Sequence, residues 1–120
     1  MPVDVFTDRL AKVRSRFVST LEGKIEDTYR PLPDLSGDGH ATVKLLEETY
    51  RRMHSMVGIG PTVGFGATGR AARNVENVLL PACSAGRGLT AQEFDSFKKA
   101  LHALRETARQ ELQSAYNGWR

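Results

Sequence analysis

Apolar residues recur at intervals of three or four along most of the chain, which is the spacing of one face of an α-helix. The first such stripe covers residues 6–25 and continues toward Tyr29. Pro31 and Pro33 are expected to end it, because proline lacks a backbone N–H and clashes with the preceding turn. Gly23 lies within the stripe and leaves one helix or two as alternatives.

A second stripe covers residues 40–57 and predicts another long helix. Asp38 is a candidate N-cap for this helix, because a short carboxylate can accept hydrogen bonds from the first free N–H groups. Gly58, Gly60 and Pro61 follow the stripe and are expected to end or kink the helix.

Two further stripes cover residues 71–82 and 94–112. Thr68 is a candidate cap for the third helix, and Pro81 is expected to kink or terminate it. Thr90 and Glu93 have the spacing of a capping box, in which a hydroxyl and a carboxylate each bind a backbone N–H at the start of a helix. The pattern therefore predicts a fourth long helix after Thr90.

No segment alternates with period two for long enough to predict a strand. Four main helices joined by short loops predict an all-α fold, an antiparallel four-helix bundle with up-down-up-down topology. A length of 120 residues favours a single domain over residues 1–120. Trp119 is expected to pack as part of the C-terminal tail.

The composition is that of a folded globular protein, with 40% hydrophobic and 26% charged residues. The single cysteine, Cys83, excludes an internal disulfide and fits a reducing compartment. No apolar run approaches the ~20 residues of a membrane span. The first residues lack the basic stretch and apolar block of a signal peptide. We therefore expect a cytoplasmic protein without membrane contact.

The formal net charge is +3, with basic residues scattered among acidic ones. A mild basic excess allows an acidic partner surface, but basic and aromatic residues are not interleaved as in single-strand nucleic-acid binders. The three histidines and Cys83 lack the spacing of metal ligands, so no metal site is expected.

His54 is the candidate for chemistry. With ~100° per residue, the apolar positions of the second helix fall within roughly 60° of Leu46, and His54 falls at about 80°, where core meets solvent. An imidazole at that boundary keeps a nucleophilic nitrogen accessible. The alternative interpretation is an ordinary half-exposed histidine. His40 and His102 have no comparable setting and are taken as surface residues.

The segment from His54 to Gly64 resembles the motif of histidine-containing phosphotransfer (HPt) domains, which commonly reads His-x-Leu-Lys-Gly-Ser-Ala with a small residue further on. The apolar Met56, the small residues Gly58 and Gly60, and Gly64 stand at matching distances from His54. Downstream, the two alanines at 71–72 and the region of residue 76 resemble the next helix of that family.

This resemblance implies an HPt-like bundle in which His54 accepts a phosphoryl group from the aspartyl phosphate of a receiver domain and passes it to another receiver. It implies a monomer without a cofactor of its own, Mg²⁺ in the partner receiver, and a response-regulator receiver domain or hybrid histidine kinase as partner. Gly58 would let the receiver approach the imidazole. The expected partner-binding residues around His54 are Arg51, Ser55, Met56, Val57 and Gly58, with core packing as the alternative for the two apolar ones.

One position departs from the family pattern: Val57 stands where the usual lysine would help hold the phosphoryl group. Arg51, or less favourably Arg52, is a hypothetical substitute. The departure leaves two alternatives to phosphotransfer. One is a degenerate HPt-like adaptor that binds a response regulator without chemistry. The other is an unrelated helical bundle that binds nucleic acid or protein through its basic surface.

Overall fold

The computed structural model describes residues 5–118, which form four α-helices and a short 3-10 helix at Leu32–Asp34. The four helices are α1 (Val5–Tyr29), α2 (His40–Thr62), α3 (Gly66–Ala85) and α4 (Ala91–Gly118). Within residues 5–118 there is no strand. The prediction of an all-helical protein with four main helices is confirmed, and Trp119 lies outside the described residues.

Glycine and proline lie inside the helices as well as at their ends. Helix α1 is one continuous helix through Gly23. Helix α2 ends one residue after Pro61, and α3 continues four residues beyond Pro81. Gly86 ends α3 with a positive φ of 64°, a left-handed conformation that glycine adopts without steric cost.

The helix starts correct two expected caps. Gly39, not Asp38, occupies the N-cap of α2, and no side chain caps that end. Helix α3 begins at Gly66, so Thr68 lies inside its first turn and is buried. The backbone N–H of Thr68 instead donates to the Glu111 carboxylate of α4, at 2.6 Å. A carboxylate from a neighbouring helix thus accepts a hydrogen bond at the start of α3, where the sequence predicted a cap from a local side chain.

The capping box at the start of α4 is confirmed. The Thr90 N–H donates to Glu93 Oε1 at 2.9 Å, and the Glu93 N–H donates to Thr90 Oγ1 at 3.1 Å. Arg87 also pairs with the Glu93 carboxylate at 2.7 Å. The hydrogen bond from the Arg87 guanidinium lowers the pKa of Glu93 to about 2.

All four helices contribute to one hydrophobic core. The rings of Phe17 in α1 and Phe65 in the α2–α3 turn meet at 5.3 Å. The part of α1 before Phe17 therefore extends beyond the α2–α3 turn. Val13 lies in that part and is 43% exposed. Within residues 5–118, none of the helices has the length and apolar content needed to cross a lipid bilayer.

Candidate functional site

His54 lies near the middle of α2 with its side chain 69% exposed. Its neighbours in sequence, Met53 and Met56, are buried. The imidazole is therefore held at the edge of the core stripe, as the helical wheel predicted, while most of the ring faces solvent.

Glu76 of α3 fixes the orientation of this ring. His54 Nδ1 lies 2.6 Å from Glu76 Oε2, and the Glu76 side chain is only 13% exposed. An ionised carboxylate only accepts hydrogen bonds, so Nδ1 must carry the hydrogen and donate it. In the neutral ring the other nitrogen, Nε2, then holds the lone pair.

The position of the turn explains why these two residues meet. His54 and Glu76 each stand eleven residues from Phe65, in the turn between α2 and α3. Two glycines let the helices approach closely beside this turn. A Cβ on Gly60 would lie 2.9 Å from the Phe65 carbonyl oxygen, and one on Gly69 would lie 2.9 Å from the Pro61 ring.

Tyr50 supports the other side of the histidine. It precedes His54 by one helical turn, and the two rings stack with their centroids 6.1 Å apart and their planes 10° apart. Tyr50 is half-buried and packs against the core. The imidazole is thus restrained by a hydrogen bond from α3 and by a ring contact within α2, which limits its rotation.

The predicted partner-binding residues are divided between surface and core. Arg51, Ser55 and Gly58 are exposed. A Cβ on Gly58 would meet nothing within 4 Å, so the surface one turn after His54 is open. Val57 is half-buried and packs against the core.

Met56 corrects an expectation, because its side chain is only 2% exposed. Met56 lies two residues from His54, roughly 160° away around the helix, on the side of α2 that other helices cover, so it cannot form part of an exposed apolar patch beside His54. Leu80 of α3 is exposed instead, at 46%, one turn after Glu76. The exposed large apolar side chain in this region therefore belongs to α3, whereas Val57 of α2 is half-buried.

The two candidate cations behave differently. Arg51 is exposed, and with Glu47, one turn earlier, it makes a long ion pair at 3.7 Å. Arg52 donates to Thr28 Oγ1 of α1 at 3.1 Å and is therefore turned away from His54. Of the two, Arg51 is the one available to an incoming anion, since a solvated ion pair is easily exchanged.

Sequence reasoning assigned no role to Glu76, Tyr50 or Leu80. The sequence did contain a signal for Glu76. It is an acidic residue beside the apolar positions 75, 78 and 79, and it follows the turn by as many residues as His54 precedes it. Tyr50 was assigned only to the core stripe. Its stacking depends on side-chain rotamers, which helical periodicity does not determine.

The remaining reactive side chains have other settings. His40 and His102 are exposed. The Cys83 thiol is half-buried and donates to the Leu46 carbonyl at 3.6 Å, and burial raises its pKa, which disfavours the reactive thiolate. Within residues 5–118, no three His, Cys, Asp or Glu side chains are grouped so that they could hold a metal ion.

No family model, no curated protein and no solved structure matches this chain.

Proposed function

We propose that the protein is a phosphorelay intermediate of the HPt type. In this proposal His54 accepts a phosphoryl group from the aspartyl phosphate of a response-regulator receiver domain and passes it to another receiver. The hydrogen bond between His54 Nδ1 and Glu76 Oε2, at 2.6 Å on a ring that is 69% exposed, carries the proposal. It directs the ring hydrogen to Nδ1, so that Nε2 is the nitrogen available as nucleophile.

The proposal includes an HPt-like antiparallel bundle with up-down-up-down topology. Three pairs of contacting residues support this order. Each joins the middle or first half of one helix to the last third of the next helix or to the turn after it. These pairs are Phe17 with Phe65, Leu46 with Cys83, and Thr68 with Glu111.

The chemistry would proceed by in-line displacement. The Nε2 lone pair of His54 forms the new N–P bond, the bond from phosphorus to the aspartyl oxygen breaks, and the aspartate leaves as a carboxylate. The resulting ring carries a positive charge with its hydrogen still on Nδ1, where the Glu76 carboxylate stabilises it. Transfer to the next receiver is the reverse sequence, and Mg²⁺ belongs to the receiver.

The surface around His54 would receive the receiver domain. Gly58 leaves room for the receiver's loops to approach the imidazole, and Arg51 and Ser55 supply polar contacts at the rim. Leu80 offers an exposed apolar contact on the α3 side. The proposed partner is therefore a receiver domain or a hybrid histidine kinase in the cytoplasm, with the protein acting as a monomer.

Val57 favours one alternative function, a degenerate adaptor that binds a receiver without accepting the phosphoryl group. Its side chain is apolar and half-buried, so it supplies no cation three residues after His54. In the phosphotransfer proposal Arg51 supplies that charge from the preceding turn. The two functions differ in whether phosphorus becomes bonded to His54.

Incubation with a receiver domain carrying ³²P on its aspartate tests the proposal. We expect the label to appear on this protein in an acid-labile, base-stable form, as a phosphoramidate of histidine behaves. His54→Gln should abolish labelling, while His102→Gln, a change at an exposed histidine on α4, should not. Binding of the receiver without any labelling would favour the adaptor, and labelling that survives His54→Gln would overturn the proposed acceptor.

A further inference from the structure

A groove between α1 and α2 lies apart from His54, and its volume is about 440 Å³. Its apolar lining consists of Val13 and Phe17 from α1 and Ile59 from α2. The volume is within the range of about 300–1,000 Å³ that ligand sites usually have. Ile59 is five residues beyond His54 and therefore on a different side of α2, roughly 140° away.

The groove is strongly basic. The cations that border it are Arg9, Lys12, Arg16 and Lys24, and no acidic side chain of residues 5–118 lines it. Lys12 pairs with Asp8 at 3.4 Å, but both side chains are exposed, so the ion pair contributes little interaction energy. No acidic side chain among the described residues forms an ion pair with Arg9, Arg16 or Lys24.

The cations are arranged with helical spacing. Arg9, Lys12 and Arg16 are three and four residues apart, so they lie one above another along α1, about 5–6 Å between neighbours. Carboxylates three or four residues apart on a second helix repeat at the same interval. Apolar side chains on that helix would enter the groove between Val13 and Ile59.

We infer that this groove binds an acidic amphipathic helix of a partner protein. Charge complementarity selects the acidic face, and the apolar lining between two helices selects an occupant with an apolar stripe. Nucleic acid fits less well, because among residues 5–118 the ring that lines the groove is Phe17, which is 6% exposed and offers no face on which bases can stack. A membrane fits less well because the apolar surface is concave.

The test measures fluorescence anisotropy of a labelled helical peptide of about 18 residues, with leucine at positions i, i+3, i+4 and i+7 and glutamate elsewhere. Two control peptides keep the leucines and replace glutamate by glutamine or by lysine. We expect the glutamate peptide to bind best and to weaken as the salt concentration rises. No binding at about 1 mM peptide, or equal binding of the glutamine peptide, would overturn the inference.

Charge reversal locates the site. The double variant Arg16→Glu with Lys24→Glu should weaken peptide binding about tenfold or more, because each cation is replaced by a repulsive charge. Lys99→Glu is the matched control, since Lys99 is an exposed cation of α4 with only a surface ion pair to Asp95. Binding that is unchanged in the double variant would contradict the proposed groove.

Two further measurements separate the alternatives. In amide NMR spectra the peptide should shift the signals of Val13, Phe17 and Ile59, and changes confined to His54 and Gly58 would contradict the groove. Tighter binding to duplex DNA or to phosphatidylserine vesicles than to the peptide would overturn the helical partner. His54→Gln should bind the peptide like the wild type, so the inference can hold or fail independently of phosphotransfer.

Discussion

The α2–α3 interface and the α1–α2 groove are built from different side chains and leave different surfaces exposed. At the first, Gly60 and Gly69 let α2 and α3 approach so closely that an added Cβ would lie 2.9 Å from the Phe65 carbonyl oxygen or the Pro61 ring. At the second, cations and a partly exposed valine border an open volume. Close packing fixes the relative position of His54 and Glu76, and the proposed phosphoryl transfer requires that fixed geometry. An open groove with one sign of charge is suited to recognition without chemistry.

The largest expected effect concerns Glu76. Glu76→Gln keeps the size of the side chain but removes the charge that stabilises the phosphorylated ring. We expect the rate of phosphoryl transfer to fall about ten- to a hundredfold, as for the loss of a charge-assisted hydrogen bond. Rapid-quench measurement of labelled His54 gives the rate. Glu48→Gln, an exposed change on α2, is the control, and equal rates in the two variants would remove Glu76 from the mechanism.

The second prediction compares a glycine of the α2–α3 interface with an exposed glycine of α1. Gly60→Ala should lower the free energy of unfolding by about 1–3 kcal/mol, because its Cβ would meet a backbone oxygen at 2.9 Å. Gly23→Ala lies in α1 with nothing within 4 Å of the added Cβ, and should raise stability by about 0.5–1 kcal/mol. Urea titrations measure both. The same sign for both variants would contradict the difference in packing.

A third prediction concerns the start of α4, which belongs neither to the α2–α3 interface nor to the α1–α2 groove. Glu93→Gln should lower the free energy of unfolding by about 1 kcal/mol at pH 7, because it weakens the capping box and the pair with Arg87. The pKa of Glu93 is lowered from 4.5 to about 2 in the folded protein. Its contribution is therefore complete above about pH 4.5 and disappears as the pH falls toward 2.

Denaturant titrations of wild type and Glu93→Gln at several pH values check this. The difference between the two proteins should shrink below about pH 4.5, and phosphoryl transfer at pH 7 should be unchanged in the variant. A difference that grows as the pH falls would contradict the assigned direction of the pKa shift.

The smallest expected effect on stability concerns Gly58, where two substitutions separate an effect on folding from an effect on receiver binding. Gly58→Ala should raise stability by about 0.5–1 kcal/mol, because the position is helical and the new Cβ meets nothing within 4 Å. Gly58→Leu likewise introduces a good helix former, but its larger side chain fills the open surface beside His54. We expect a folded protein with slower transfer and weaker receiver binding. Transfer at the wild-type rate in Gly58→Leu would show that the receiver does not approach across Gly58.

Helical periodicity predicted the elements because burial repeats along each helix in a regular way. The exposure of His54, the ends at Tyr29 and Thr62, and the capping box at Thr90 all depend on local spacing or on proline and glycine, and they are confirmed. The expected caps at Asp38 and Thr68 are wrong for different reasons. Gly39 is the N-cap of α2, and no side chain caps that end. At α3 the partner of the Thr68 N–H is the Glu111 carboxylate, from a distant part of the chain that local spacing does not reveal.

The candidate site was only partly predictable for the same reason. The position of His54 on its own helix followed from the sequence, whereas its contact with Glu76 depends on how α2 and α3 are aligned across the turn. Met56 was placed beside His54 by proximity in sequence, but residues two apart on a helix point in different directions. The groove depends on how α1 and α2 are spaced, which periodicity along one helix does not determine.

NMR of the phosphorylated protein, with ¹⁵N in the histidine rings, tests the central claim most directly. The account predicts one phosphohistidine, at His54, with phosphorus coupled to Nε2 and with hydrogen retained on Nδ1 beside Glu76. Phosphorus bonded to Nδ1 would contradict the role of the Glu76 hydrogen bond. A protein that binds the phosphorylated receiver and yet forms no phosphohistidine would contradict phosphotransfer itself.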